Sequence, residues 1–268
     1  ARLEDKEQFA ADVMDIFVAR PSDVTAAFRR LYAESPVAAT DYFYQLSQAS
    51  NYIQTKRIAK NKRYQADTAY GTIDVTINLS KPEKDPREIA AARTEAPTAS
   101  NYPTCLLCVE NVGYAGRANH PARANHRVVP LTLMEESWAL QYSPYVYYNE
   151  HSIILSQEHR DMVINRDAFA RLIAFVEQFP HYFAGSNADL PIVGGSILTH
   201  DHYQGGRYTF AMDRAKTLTS FTFPDQPTVT GETLHWPLSV LRLKSEDASA
   251  LLDAATTVYE TWLTYTDE

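Results

Sequence analysis

From Leu3 to about Tyr64 apolar residues recur at helical spacing: Phe9, Val13, Ile16 and Phe17 form one stripe, and Val24, Phe28, Leu31 and Tyr32 a second. Such periodicity predicts helices that bury one side. Pro21 followed by Ser22 and Asp23 supplies a start for the second helix, and a third is expected from Thr40 through Tyr52 and Ile53 to Arg57. The period then changes to two. Ile73, Val75, Ile77 and Leu79 alternate within Gly71–Leu79, the clearest strand in the chain. Pro82 and Pro86 end it and open a short helix through Ile89 and Ala92, which Pro97 stops. Further strands are expected at Arg127–Leu133, Tyr145–Tyr148, His151–Leu155, Arg207–Met212 and Leu238–Leu243. Two more helices are expected. Asp167–Phe179 would bury Phe169, Leu172, Ile173, Phe175 and Val176, and Asp247–Tyr265 would turn Leu251, Leu252, Val258 and Leu263 inward. Strands, a helix and further strands in this order predict an α+β protein with a mainly antiparallel sheet, flanking helices and a helical N-terminal region.

Composition sets bounds on this picture. The 268 residues, 45% hydrophobic and 22% charged, suffice for a full core in one large domain or two closely joined ones. The linker-like stretch Lys81–Pro103 suggests a soft boundary, giving a helical region with one strand over 1–97, a second domain over 98–225 and the start of another half over 226–268. A net charge of -8 and a pI near 5.5 argue against a dedicated nucleic-acid binder or a polybasic membrane surface. No apolar run reaches bilayer length and the first residues lack a signal-peptide pattern, so a cytoplasmic protein is the expectation. Both ends look cut, Ala1 opening inside a helical pattern and Glu268 closing without a terminal element.

The stretch Pro191–Gly206 carries the candidate chemistry. His200, His202 and Gln204 stand at every second position between Gly194-Gly195 and Gly205-Gly206, which on a strand puts two imidazoles and an amide on one face. The glycines would let a ligand approach the backbone. The only two cysteines, Cys105 and Cys108, have C-x-x-C spacing, which in a reducing compartment reads as metal binding, redox chemistry or a reduced pair. A lone pair of thiolates leaves a tetrahedral metal two ligands short, so histidines would have to complete it. Gly116–Arg127 carries Arg-Ala-Asn-His twice, and its Arg117, Arg123 and Arg127 form a basic cluster suited to a diphosphate or a sugar phosphate, or else a polar surface loop. The run Lys56–Arg63 reads as a solvated face, and Tyr145, Tyr147 and Tyr148 as sheet packing.

The H-x-H-x-Q stretch resembles the active-site motif of the galactose-1-phosphate uridylyltransferases, a branch of the histidine triad superfamily. Tyr147–His151 and Phe179–Phe183 are similar to the second, mainly bacterial class. The resemblance implies a histidine-triad-like sheet and transfer of uridylate from UDP-glucose to galactose 1-phosphate. His202 would be the nucleophile, Gln204 the donor to the phosphate oxygens, and Ser196 and Gly195 further phosphate contacts. It also implies zinc held by Cys105, Cys108, His159 and His200, with a structural role because four protein ligands leave no open position. Asn125 falls near the family's nucleotide-contacting asparagine and Asn187 near the one that touches the substrate phosphates. No nucleic-acid or membrane partner is implied, and a homodimer is one option. Two positions depart from the better-known class. Asp201 stands where that class has proline, and Ser196 lies four residues before the first motif histidine rather than three. Two rival readings share the residues: another triad-superfamily nucleotide hydrolase or phosphorylase, and an inactive zinc-stabilised nucleotide-binding fragment.

Overall fold

A computed structural model of the chain describes residues 3–80, 102–117, 120–193 and 197–267. The expected helix through Ile89 and Ala92, and with it Gly194, Gly195 and Ser196, lies outside the described residues.

The N-terminal stripes become α1 (Leu3–Asp15) and α2 (Pro21–Glu34). The third helix, α3 (Pro36–Ala49), starts and stops earlier than its apolar pattern suggests. Ser35 Oγ accepts the Val37 N–H at 3.2 Å and Pro36 takes the first helical position, which together fix the start. After one turn of helix, α4 (Thr55–Ile58), the chain forms a hairpin of β1 (Lys62–Thr68) and β2 (Gly71–Ile77). The N-terminal region therefore holds two strands, not one. β1 is exposed on both faces, so it carries no apolar alternation that would mark it as a strand.

The central sheet has five antiparallel strands, β3 (Val129–Leu133), β4 (Glu136–Tyr142), β5 (Ser152–Ser156), β6 (Phe183–Gly185) and β7 (His202–Gly206), in the order β3-β4-β5-β7-β6. Its register sets Val129, Leu140, Ile154 and Tyr203 side by side across four strands, all at most 1% exposed. These residues share one core with Val24 and Phe28 of α2, Phe43 of α3, and Phe175 of α5 (Arg166–Gln178) with Phe179 just beyond it. The opposite face of β7 carries His202 and Gln204, paired with Leu155 and Ile153. A second sheet, β8 (Thr217–Phe223), β9 (Gln226–Leu234) and β10 (Leu241–Lys244), has β9 at its centre. The last helix, α6 (Ala248–Thr264), packs on this sheet and meets α5 through Phe169 and Tyr259, ring centroids 5.6 Å apart. The architecture is α+β with antiparallel sheets.

Several expectations need correction. Tyr145–Tyr148 is a loop between β4 and β5, and Arg207–Met212 is not a strand, since the sheet ends at Gly206. The α1 stripe faces outward, with Phe9, Ile16 and Phe17 at least 70% exposed. Its inner line is Glu7, Ala11 and Asp15 instead, at i, i+4, i+8, with Glu7 paired to Arg57 and Asp15 to Arg127. On α6 Leu251, Leu252 and Val258 are half-buried while Leu263 is exposed; Ala254 and Thr256 make the close approach. No described helix is long and apolar enough to cross a membrane.

A charged cluster borders the core. Trp138, fully buried and stacked on Tyr203 at 5.1 Å, has the guanidinium groups of Arg160 and Arg171 each 5.7 Å from its ring. Both arginines bond Glu136. Burial alone would raise the Glu136 carboxyl, but the bonds from Arg171, Arg160 and Trp138 outweigh it and hold it down to about 2. A carboxylate with a depressed folded pKa stabilises the fold above its unfolded pKa of roughly 4.3, and that stabilisation is lost as pH falls from there through the folded value. Glu136 is partly exposed, so solvent screening leaves on the order of 1–2 kcal/mol. Glu136→Gln is expected to unfold at lower denaturant concentration than the parent at pH 7, with the gap shrinking as the pH falls from roughly 4.5 to about 2. An equal gap at both ends of that range would rule this account out.

Candidate functional site

β5 and β7 meet in a register that pairs Leu155 with His202 and Ile153 with Gln204. The expected strand through His200 does not form: residues 198–200 make a turn and β7 begins at His202. His200 therefore leaves the shared face and turns towards the cysteine loop.

Cys105, Cys108, His159 and His200 converge, their ligand atoms all within 4.8 Å of one another. The two sulfurs are 3.5 Å apart, Cys105 Sγ lies 3.2 Å from His200 Nδ1, and Cys108 Sγ 3.2 Å from His159 Nδ1. The edges of a tetrahedron built on ordinary zinc–sulfur and zinc–nitrogen bonds are roughly 3.3–3.8 Å, close to the sulfur–sulfur and these sulfur–nitrogen separations, so the group could hold a single metal ion. The tautomer of His200 fits too. Its Nε2–H donates to the Ser156 carbonyl at 2.8 Å, which leaves the Nδ1 lone pair facing the sulfurs. Burial pushes the Cys108 thiol up to about 11 in the absence of a cation. Asn111 steadies the loop by donating to the carbonyls of Cys105 and Cys108, both at 2.8 Å, and His120 bonds Asn111 Oδ1 at 2.6 Å.

His202 is 4% exposed, and its Nδ1–H donates to the carbonyl of His200 at 2.8 Å. That bond leaves Nε2 with the lone pair. Burial depresses the ring's pKa below the usual histidine value and outweighs the opposing pull of the carbonyl, so the imidazole is neutral at pH 7. One residue, His200, thus presents its ring to the cysteine–histidine cluster and its carbonyl to the neighbouring imidazole. Gln204 Nε2 donates to Asn187 Oδ1 at 3.3 Å, which brings Asn187 to the same face, and Gln204 Oε1 accepts from His151 Nε2 at 3.1 Å.

Asp201, between the two motif histidines, points to the other side. Its carboxylate pairs with Arg160 at 3.1 Å, and its N–H donates to the Arg160 carbonyl at 2.7 Å. Since a proline has no N–H, the backbone bond could not form in the arrangement of the better-known class. Arg160 follows His159, so this double contact joins the sequence neighbours of two cluster residues. Gly205 and Gly206 do not open space for a ligand. A Cβ on Gly205 would lie 2.9 Å from the Phe183 carbonyl, and one on Gly206, at φ 156°, 2.8 Å from the Glu150 carbonyl. These glycines let neighbouring backbone approach.

The basic loop is largely committed to structure. Arg127 is buried and bonds Asp15 and the carbonyls of Ala19, Ala124 and His126. Arg117 bonds the Tyr102 carbonyl at 2.5 Å and the Tyr114 hydroxyl at 3.0 Å. Arg123 lies over the Tyr52 ring, 5.3 Å from its centroid. Asn125 is buried and donates to the Ser50 carbonyl at 2.8 Å, tying this loop to the end of α3. Two contributors, His151 and Arg160, emerge only from the structure. The alternation of His151, Ile153 and Leu155 is the available signal for the first, because it runs antiparallel to His202 and Gln204. Arg160 carries no local pattern.

A family model described as galactose-1-phosphate uridyl transferase, N-terminal domain, matches residues 1–161. A galactose-1-phosphate uridylyltransferase of Butyrivibrio fibrisolvens is 53% identical over 98% of this chain and 67% of its own length. Relatives of the same name from Clostridium perfringens strain SM101 and Enterococcus faecalis strain V583 are 54% and 51% identical over 99% of the chain, which spans 53% of each. No solved structure matches the chain. The H-x-H-x-Q stretch, its cysteine–histidine cluster and these matches lead to one conclusion: the chain belongs to the galactose-1-phosphate uridylyltransferase family.

Proposed function

We propose that the chain carries the uridylyl-transferring centre of an enzyme that moves uridylate from UDP-glucose to galactose 1-phosphate. The observation that supports this most is the Nδ1–H bond of His202 to its neighbour's carbonyl, which leaves a neutral imidazole with its Nε2 lone pair available. In the first step Nε2 attacks the α-phosphorus of UDP-glucose. A nitrogen–phosphorus bond forms, the bond to the bridging oxygen breaks, and glucose 1-phosphate leaves with the electron pair. In the second step a phosphate oxygen of galactose 1-phosphate attacks the same phosphorus, giving UDP-galactose and restoring the imidazole. Gln204 donates an amide N–H to the charge that develops on the non-bridging oxygens. Asn187, which Gln204 touches, extends the polar surface for phosphate, with Ser196 and Gly195 as further contacts.

Zinc is the metal we assign to Cys105, Cys108, His159 and His200, on the grounds of two sulfur and two nitrogen donors in tetrahedral proportion. It would supply a structural crosslink between the cysteine loop and the start of β7.

Label from free glucose 1-phosphate is expected to enter UDP-glucose with no galactose 1-phosphate present, since the first step alone is reversible. Absence of that exchange in a folded, metal-loaded protein would refute the two-step reading. Hydrolysis of the loaded histidine by water at a comparable rate would favour a nucleotide hydrolase instead.

A further inference from the structure

We infer that His151 is a positioning residue that fixes which end of the Gln204 amide faces the phosphate. The inference rests on the transferase reading above and deepens it.

His151 lies immediately before β5, and Ile153, two residues on, pairs with Gln204 across the sheet. This register carries the His151 ring to the Gln204 side chain, with Nε2 3.1 Å from Oε1. The ring is 4% exposed and walled by Tyr147 and Tyr148, with centroids at 5.4 and 4.6 Å. Its other nitrogen, Nδ1, is buried and has no hydrogen-bond partner among the described residues.

That orphan decides the tautomer. A proton on Nδ1 would leave a buried donor unpaired and would set the Nε2 lone pair against the Gln204 oxygen. A proton on Nε2 leaves only an acceptor unpaired, the more tolerated of the two defects. The ring also stays neutral at pH 7, because burial lowers its pKa to about 4. His151 therefore donates from Nε2 and holds Gln204 Oε1. The amide nitrogen must point the other way, one N–H on Asn187 Oδ1 and the second available for phosphate. Without His151 the amide can turn over and offer its oxygen to an anion.

The test is a double-substitution cycle read by single-turnover release of glucose 1-phosphate from labelled UDP-glucose, with thermal melting and metal content followed in each variant. His151→Met removes the donor at similar bulk, His151→Gln restores an amide donor near the Nε2 position, and Gln204→Met removes its acceptor. His151→Met is expected to slow release about 10- to 100-fold, less than loss of a phosphate donor outright, with KM for UDP-glucose within about twofold. His151→Gln is expected to recover most of the rate. On top of Gln204→Met, His151→Met is expected to cost less than about twofold, because the two residues act as a unit. Full multiplication of the two losses, or a His151→Gln protein as slow as His151→Met, overturns the inference. Should His151→Met fail to fold, His151→Gln decides: a rate within about threefold of the parent supports the inference, and a rate as low as Gln204→Met overturns it. If the parent protein releases no glucose 1-phosphate, the transferase reading itself has failed, which no variant result could imitate.

Discussion

Replacing His202 with asparagine is expected to abolish exchange between glucose 1-phosphate and UDP-glucose, by at least about 10⁴-fold, while the protein stays folded. The two halves of that result come from different atoms of the ring. In histidine Nδ1 is bonded to Cγ, as the amide nitrogen is in asparagine, so the substituted amide would still donate to the His200 carbonyl and keep the start of β7 in place. What disappears is Nε2, the atom that would become bonded to phosphorus. The melting temperature should change little, since asparagine lacks only two of the buried ring's atoms and its hydrogen bond is retained. Stopped exchange with an unchanged melt would separate loss of the nucleophile from loss of structure. Continued exchange at the parent rate would remove His202 from the reaction.

Substituting Cys108 with serine is expected to empty the metal cluster and to lower the melting temperature markedly. Metal content should fall from near one ion per chain to near none. A ligand present at roughly 1,000 times its dissociation constant adds about 4 kcal/mol to folding stability. In a chain of this size each kcal/mol moves the melting temperature by roughly 2–4 °C, so a fall of about 8–16 °C is expected. A chelator should shift the parent protein in the same direction and leave the serine variant where it is. Acid should act like the chelator, since a thiol that burial holds at about 11 must surrender its proton to bind. A parent protein that contains no metal and does not respond to a chelator would refute the crosslink.

Part of the candidate site is legible in the sequence, and the reason is local. The alternation of His202 with Gln204 and the spacing of the two cysteines are short-range constraints that a strand and a loop impose directly on sequence. The helices at Pro21–Glu34 and Arg166–Gln178 are equally open, because each buries one side. What stays hidden depends on partners far along the chain. The outward stripe of α1 has the helical period, and only the ion pairs of Glu7 and Asp15 with Arg57 and Arg127 reveal that the polar side faces in. β1 lacks a buried side and so lacks a pattern. Arginines that look ready for phosphate in the text of Gly116–Arg127 are held by carbonyls at Tyr102, Ala19 and Ala124, which no spacing rule could announce. The kink that takes His200 off the strand is hidden for the same reason: its ring is drawn to Cys105, 95 positions away in sequence.

The double duty of residue 200 has a mechanical consequence. Its side chain is anchored in one assembly and its main-chain oxygen steers another, so a tilt of one peptide plane would be felt in both at once. Disturbance of the cysteine loop, by oxidant or by a competing ion, would reach the His202 ring through that one peptide link.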